Sequence, residues 1–506
     1  MYQNKHYFFS SFFWSFLSKV LNAIFGFISV PLLLGYFGKA DFGLLSIATA
    51  CNGYMHIMDM GVNTGAIKYF AQWDAEGKRD LIQKVSNTNT TFYLIISCVN
   101  ILGLLALAWF GESLFSVTHE QFLKLRTCFF ILAIFASFSW ATSAYTQLLT
   151  AYKKIAFTMK VNCVMVLLRI LLIASVFGFK LDLSEYFFFL TAILAFAIVP
   201  NVIKCKKDKL LDSLKPAMHW KEFGIVFSFS MSIFAISLFQ MTATQSRPIV
   251  LSIFAENGAE TVADYRIIEV FPLFVMMLCG SFTGIFLPKS SEMTVKNSRN
   301  EIQNFVNAWT TKTTILVCTL SFPIVVAATE LLEAYVGPEH GYLAKWLQLW
   351  CVFLIFQMHS TPAYSFILAK GKTKVLVTTI GIAAFLSIIV NISLSKIFPV
   401  GSAVLGYVVY MICQVSVDYI YMYKYCINLD RLPILKSFLA PFILGVISCL
   451  VAYVISIDKI DVFSIERIDY LLVFVIKAGI WLLLYAVLLF AFRVLKVSEL
   501  KKMLAR

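Results

Sequence analysis

FFSSFFWSFLSKVLNAIFGFISVPLLL occupies residues 8–34, and Lys19 is its one charge. A run of this length crosses a bilayer. Backbone groups in lipid must pair within their own segment, so the run is a helix. Comparable runs recur along the chain. They predict fourteen spans, near 8–34, 42–62, 89–110, 127–150, 158–179, 185–203, 223–244, 265–288, 313–335, 343–369, 375–397, 403–423, 437–456 and 470–492. A transmembrane barrel would alternate in short strands instead. A cleaved signal peptide does not fit either, because the first run is too long and lacks a clear small-residue cleavage site. With 60% hydrophobic and 14% charged residues, the expected fold class is an all-α integral membrane protein.

The net charge of +14 invites a nucleic-acid reading, and its distribution argues against one. With the N-terminus inside, inner segments hold 29 of the 42 Lys and Arg, and outer loops hold 9. The other four, Lys19, Arg169, Arg266 and Lys477, fall within spans. That bias obeys the positive-inside rule and places both termini in the cytoplasm. Eleven cysteines are scattered singly without a CxxC pair, and six histidines are equally dispersed. With no HExxH, P-loop or GxSxG pattern, no metal, cofactor or ATP hydrolysis is expected. Outer loops of at most about 20 residues leave little room for a catalytic domain, so a transporter is expected rather than an enzyme.

The chain repeats itself weakly. PLLLGYF (31–37) before Ala40-Asp41-Phe42 matches PIVLSIF (248–254) before Ala263-Asp264-Tyr265, and AYTQLLTAYKK (144–154) matches AYSFILAKGKT (363–373). The offsets are 217, 223 and 219 residues. Two copies of a six-helix unit are therefore expected: an N-lobe over 1–203 and a C-lobe over 223–423, joined by the basic linker 204–222. Residues 424–506 hold spans 13 and 14 and a basic tail. The linker reads first as a solvated face attracted to anionic headgroups. Spans 13 and 14 fit a lipid-facing addition, a dimer contact or part of a substrate path. Internal repeats of this kind recur in secondary transporters, with the site between the halves.

Ser11, Ser15, Ser18, Asn22, Gly26 and Ser29 are spaced by three or four residues and share one helical face. Lys19 borders that stripe, so it faces protein or a wet cavity, or else snorkels to the interface. An ammonium at such depth costs about 2.5–3.5 kcal/mol on insertion scales. Span 2 carries His56, Asp59 and Asn63, with Lys68 just beyond; span 7 carries Gln240 and Arg247. Arg266 opens span 8 and has Glu269 three residues on, a spacing that also allows the pair to neutralise itself. Arg169, central in span 5, needs a carbonyl, an acid or an anionic ligand. Lys477 reads as a snorkeller, and Glu330 as interfacial. Asp59 and Asp418 are candidate partners of the bases or coupling-ion sites. If spans 1, 2, 7 and 8 line one cavity, cations outnumber acids there, which suits an anion.

LGYFGKADFGL (34–44), Asp59-Met-Gly61, the small-residue run into Lys68-Tyr69, AYKK (151–154) and LAKGKTK (368–374) carry a resemblance. The chain resembles Wzx-type O-antigen flippases of the multidrug/oligosaccharidyl-lipid/polysaccharide exporter superfamily. The resemblance implies two pseudo-symmetric six-helix lobes around a central cavity, working by alternating access in a bacterial inner membrane. The cargo it implies is an oligosaccharide on undecaprenyl pyrophosphate, moved to the periplasmic leaflet for O-antigen or capsule export. It implies partnership with a polysaccharide polymerase and a chain-length regulator. Lys19 and Arg266 fit the family's diphosphate-gripping cations best, and Lys68 and Arg247 more loosely. A lipid II flippase stays open because its cargo also carries a diphosphate. A multidrug cation antiporter of the same fold should carry an acid in span 1 or 7, and neither span has one.

Overall fold

The computed structural model describes residues 2–59, 61–211, 215–283, 286–371, 373–454 and 466–495. Every regular element among them is helical, as expected for this class. Ten of these helices are long and apolar enough to cross a membrane, and a pair bent by 42°, Pro338–His359 with Thr361–Ala369, makes an eleventh. One of the ten, Phe13–Asp59, runs the first two expected spans together. The chain forms two compact units, Met1–Ala263 and Asp264–Arg506.

In the first unit, α1 (Tyr2–Met55) breaks at Gly38, whose φ of 80° and ψ of 169° are open to glycine and to few other residues. The LGYFGKADFGL stretch is thus a hinge between two limbs. Beyond it Asp41 pairs with Lys124 at 2.7 Å, while Phe42, Leu44 and Leu45 are buried. A turn at His56–Asp59 and Gly61 (φ 68°) separate α1 from α2 (Val62–Ala75), so the second expected span ends early. There follow α3 (Arg79–Phe110), α4 (His119–Ala151), α5 (Ile155–Phe179), α6 (Leu183–Phe196), α7 (Ile198–Lys207) and α8 (Trp220–Phe254). Capping boxes at Thr118 and Asp182 start α4 and α6.

Helix α8 packs on α1, α2 and α3. A Cβ built at Gly65 of α2 would lie 2.2 Å from the Ser230 hydroxyl. The far end of α8 is held by the α3–α4 loop, where Ser116 N–H donates to the Ser252 carbonyl at 2.8 Å and Ser116 Oγ to the Ile253 carbonyl at 2.7 Å. An apolar core of Val62, Phe70, Trp73, Ile82, Leu149 and Phe223, among others, ties α2, α3, α4 and α8 together.

The second unit begins within α9 (Gly258–Thr283) and continues through α10 (Phe286–Lys296), α11 (Arg299–Val326), α12 (Ala328–Tyr335), α13 (Ala344–His359), α14 (Thr361–Ala369), α15 (Thr373–Leu394) and α16 (Pro399–Val417). A wide-turn helical segment, Asp418–Cys426, leads to α17 (Arg431–Val454) and α18 (Glu466–Ala491). The expected ninth and tenth spans are each broken. Ala327, at φ −128°, divides α11 from α12. Pro362, at the start of α14, has no N–H to give the preceding turn and marks the bend after α13.

Helices α17 and α18 pack on α11 and α12 and supply Phe438, Leu444, Trp481 and Tyr485 to one core with Val317 and Phe322. Trp481 Nε1 donates to the Gly445 carbonyl at 3.1 Å. Lys477 is no snorkeller, and Glu330 is not merely interfacial. Their side chains are only 17% and 19% exposed, and they form an ion pair between α18 and α12. An acid on a packed neighbour is a cheaper partner for an intramembrane lysine than a stretch to the interface.

Candidate functional site

The polar stripe of α1 meets α5. Asn22 donates through Nδ2 to the Ser18 carbonyl at 2.8 Å, one turn back. That bond presents Asn22 Oδ1 to α5, where it accepts from Arg169 at 2.8 Å. The Arg169 guanidinium also lies over the Phe25 ring, 4.5 Å from its centroid. Seven residues earlier on α5, Asn162 donates to Ser18 Oγ at 2.8 Å. Lys19 stands three residues before Asn22, exposed and with no hydrogen-bond or ion-pair partner among the described residues. Lys160 of α5 lies over Trp14 at 5.0 Å. Asn22 and Arg169, identified on different spans from sequence, therefore meet at one helix–helix junction, and Lys19 stands on α1 one turn from Asn22. Sequence reasoning misses Asn162 and Lys160, although Asn162 sits seven residues from Arg169 on the same α5 face.

In the first unit, Asp59, Lys68 and Arg247 stand in other surroundings. Asp59 bonds no base; it accepts from Tyr93 Oη at 2.5 Å and from the Asn63 backbone at 3.2 Å. Gln147 donates to Tyr93 Oη, and Asn89 to Gln147, each at 2.5 Å, so a polar chain crosses α3 and α4. Its members are far apart in sequence, which is why only Asp59 stands out there. Lys68 sits over the Phe229 ring at 3.6 Å. Arg247 lies inside α8 and is 6% exposed. The side chain of Gln240 lies outside the described residues.

In the second unit, Arg266 closes on Glu269 at 2.5 Å, the self-neutralising arrangement its spacing allowed, and Tyr265 Oη also donates to Glu269 at 3.0 Å. Asp418 is 1% exposed, with no hydrogen-bond partner for either carboxylate oxygen. Nearby, His359 Nε2 and Tyr419 Oη share a 2.9 Å hydrogen bond. No grouping of His, Cys, Asp and Glu among the described residues could hold a metal.

Residues 8–294 match the family described as polysaccharide biosynthesis protein. Similar solved structures include "Lipid II flippase MurJ, inward closed conformation", with a TM-score of 0.66 and 16% identity over 93% of this chain and 98% of that one. An inward-facing multidrug resistance MATE family transporter of the MOP superfamily has a TM-score of 0.65 and 11% identity, over 86% and 95%. The MATE multidrug transporter DinF-BH has a TM-score of 0.60 and 16% identity, over 83% and 96%. At such identities these likenesses concern the fold. No curated protein matches the sequence. Because the match runs from the first span past α9, the chain belongs to the polysaccharide biosynthesis protein family, within the multidrug/oligosaccharidyl-lipid/polysaccharide exporter superfamily.

Proposed function

We propose that the chain flips undecaprenyl-pyrophosphate-linked oligosaccharide from the cytoplasmic to the periplasmic leaflet of a bacterial inner membrane, supplying O-antigen or capsule assembly. The observation that carries the reading is the α1–α5 junction. Lys19, Lys160 and Arg169 lie on these two helices, and among the described residues no carboxylate bonds any of them. Uncompensated cations at span depth call for an anion, and a diphosphate offers several acceptor oxygens to a lysine and an arginine at once. Asn22 holds Arg169 by one nitrogen, which orients the guanidinium without neutralising it. An organic-cation cargo would want a carboxylate on this face. Arg266, already paired with Glu269, is the weaker cargo contact.

The test is complementation of a flippase-deleted strain at matched membrane abundance. Surface glycan and the inner-leaflet lipid-linked intermediate are both quantified. A charge-assisted hydrogen bond contributes about 1.5–3 kcal/mol. Lys19→Ala is therefore expected to lower surface glycan about tenfold or more, with the intermediate accumulating and Lys19→Arg retaining most export. Normal export by Lys19→Ala sinks the reading. Rescue of a lipid II flippase deletion, with no glycan export by the wild type, replaces it with the lipid II alternative.

A further inference from the structure

We infer that a cavity at the ends of α2, α3, α4, α5 and α7 in the first unit binds the phosphodiester headgroup of a membrane lipid. It encloses about 600 Å³ and is lined by Asp74, Arg79, Tyr152, Lys154, Asp208 and Lys209. That volume falls within the range of small-molecule sites, about 300–1,000 Å³. Its depth in the membrane follows from the helices around it. Spans Arg79–Ser113 and Ile155–Phe179 begin here, and His119–Ala151 and Leu183–Lys207 end here, which sets the cavity at headgroup level. Its floor is apolar, made by Ile82 and Leu210 at 1% and 6% exposure.

The charges are organised rather than cancelled. Lys204 and Lys154 both reach the Asp208 carboxylate, at 2.9 and 3.2 Å. The hydrogen bond from Lys204, with that from Lys154, holds this carboxyl below the ordinary range. One acid thus positions two ammoniums. The Arg79 guanidinium donates by one nitrogen to the Lys209 carbonyl, which fixes its planar fork at the cavity edge. Lys209 adopts a left-handed φ of 48°, and its ammonium has no partner among the described residues. Of the residues lining the cavity, Arg79, Lys154 and Lys209 stand against Asp208 and Asp74, so positive charge is in surplus. Helices α3 and α5 begin beside the cavity without side-chain caps, and Lys154 and Arg79 occupy positions where a helix dipole disfavours cations. A phosphate seated among them relieves both terms. Basic pockets between spans on the positive side of a membrane suit lipid phosphates.

The inference is independent of the cargo reading, and its test keeps the two apart. Full-length protein in neutral detergent is titrated with short-chain phosphatidylglycerol or with inorganic phosphate, and thermal unfolding is followed. A saturable rise in Tm is expected with the lipid and none with phosphate at equal concentration. Arg79 and Lys209 are exposed, so Arg79→Ala/Lys209→Ala is expected to unfold like the wild type without lipid. It should bind the lipid about fivefold more weakly per cation removed, on the order of 25-fold for both. Lys19→Ala should bind it as the wild type does. The site is overturned by an unsaturable or absent shift, by an undiminished shift in the double variant, or by loss in Lys19→Ala. An equal shift with inorganic phosphate overturns the lipid assignment in favour of a soluble anion.

Discussion

Gly43→Ala is expected to destabilise the folded protein by about 3 kcal/mol, the upper end of ordinary overpacking penalties. A Cβ at this position would lie 1.8 Å from the Ala259 carbonyl oxygen and 2.5 Å from its carbon. Both atoms are backbone, so no rotamer change relieves the overlap, and the second limb of α1 must move off the first turn of α9. Gly35→Ala is the control on the same helix, since nothing lies within 4 Å of its Cβ position. There the added methyl removes only chain freedom, and stability should hold or rise by up to about 1 kcal/mol. Thermal unfolding of the two purified variants decides the matter. Equal midpoints would mean that the approach of α1 to Ala259 contributes nothing to the fold.

The second large effect is expected at the ion pair of α18 and α12. Lys477→Met leaves Glu330 without its cation, and Glu330→Gln leaves Lys477 without its anion. Breaking a buried pair costs about 3–5 kcal/mol, and the residual exposure here favours the lower end. The double variant Lys477→Met/Glu330→Gln should recover most of the loss, because neither charge is then stranded. A double-mutant cycle on unfolding midpoints measures the coupling. Additive losses would show the two side chains acting independently and the pair contributing little.

Much of this architecture is legible in the amino-acid order, for identifiable reasons. Long apolar runs force helices wherever lipid denies the backbone other partners. The spacing of Ser18 and Asn22 puts both on one face of α1, and that face does meet α5. Pairings between distant segments are not legible. Nothing in the sequence near Asp59 announces Tyr93, or near Glu330 announces Lys477, because each pairing depends on which helices become neighbours. Helix breaks are half legible: Gly38 and Pro362 mark two of them, yet each lies within or between runs that read as continuous spans. The repeat has a physical counterpart. Asp41 bonds Lys124, while Asp264 accepts from Tyr342 at 2.6 Å, at offsets of 223 and 218 residues.

The packing of α17 and α18 has a consequence for how the bilayer acts on the protein. In the first unit, α3 presents Leu94, Ile95, Val99 and Leu102 at 44–66% exposure, an apolar edge that acyl chains wet directly. In the second unit, α11 is sheathed by the C-terminal pair. Compressing or thickening the hydrocarbon layer therefore loads α3 at first hand, while α11 feels it only through two intervening helices. The two units are unequally insulated, and lipid composition pushes on one more than on the other.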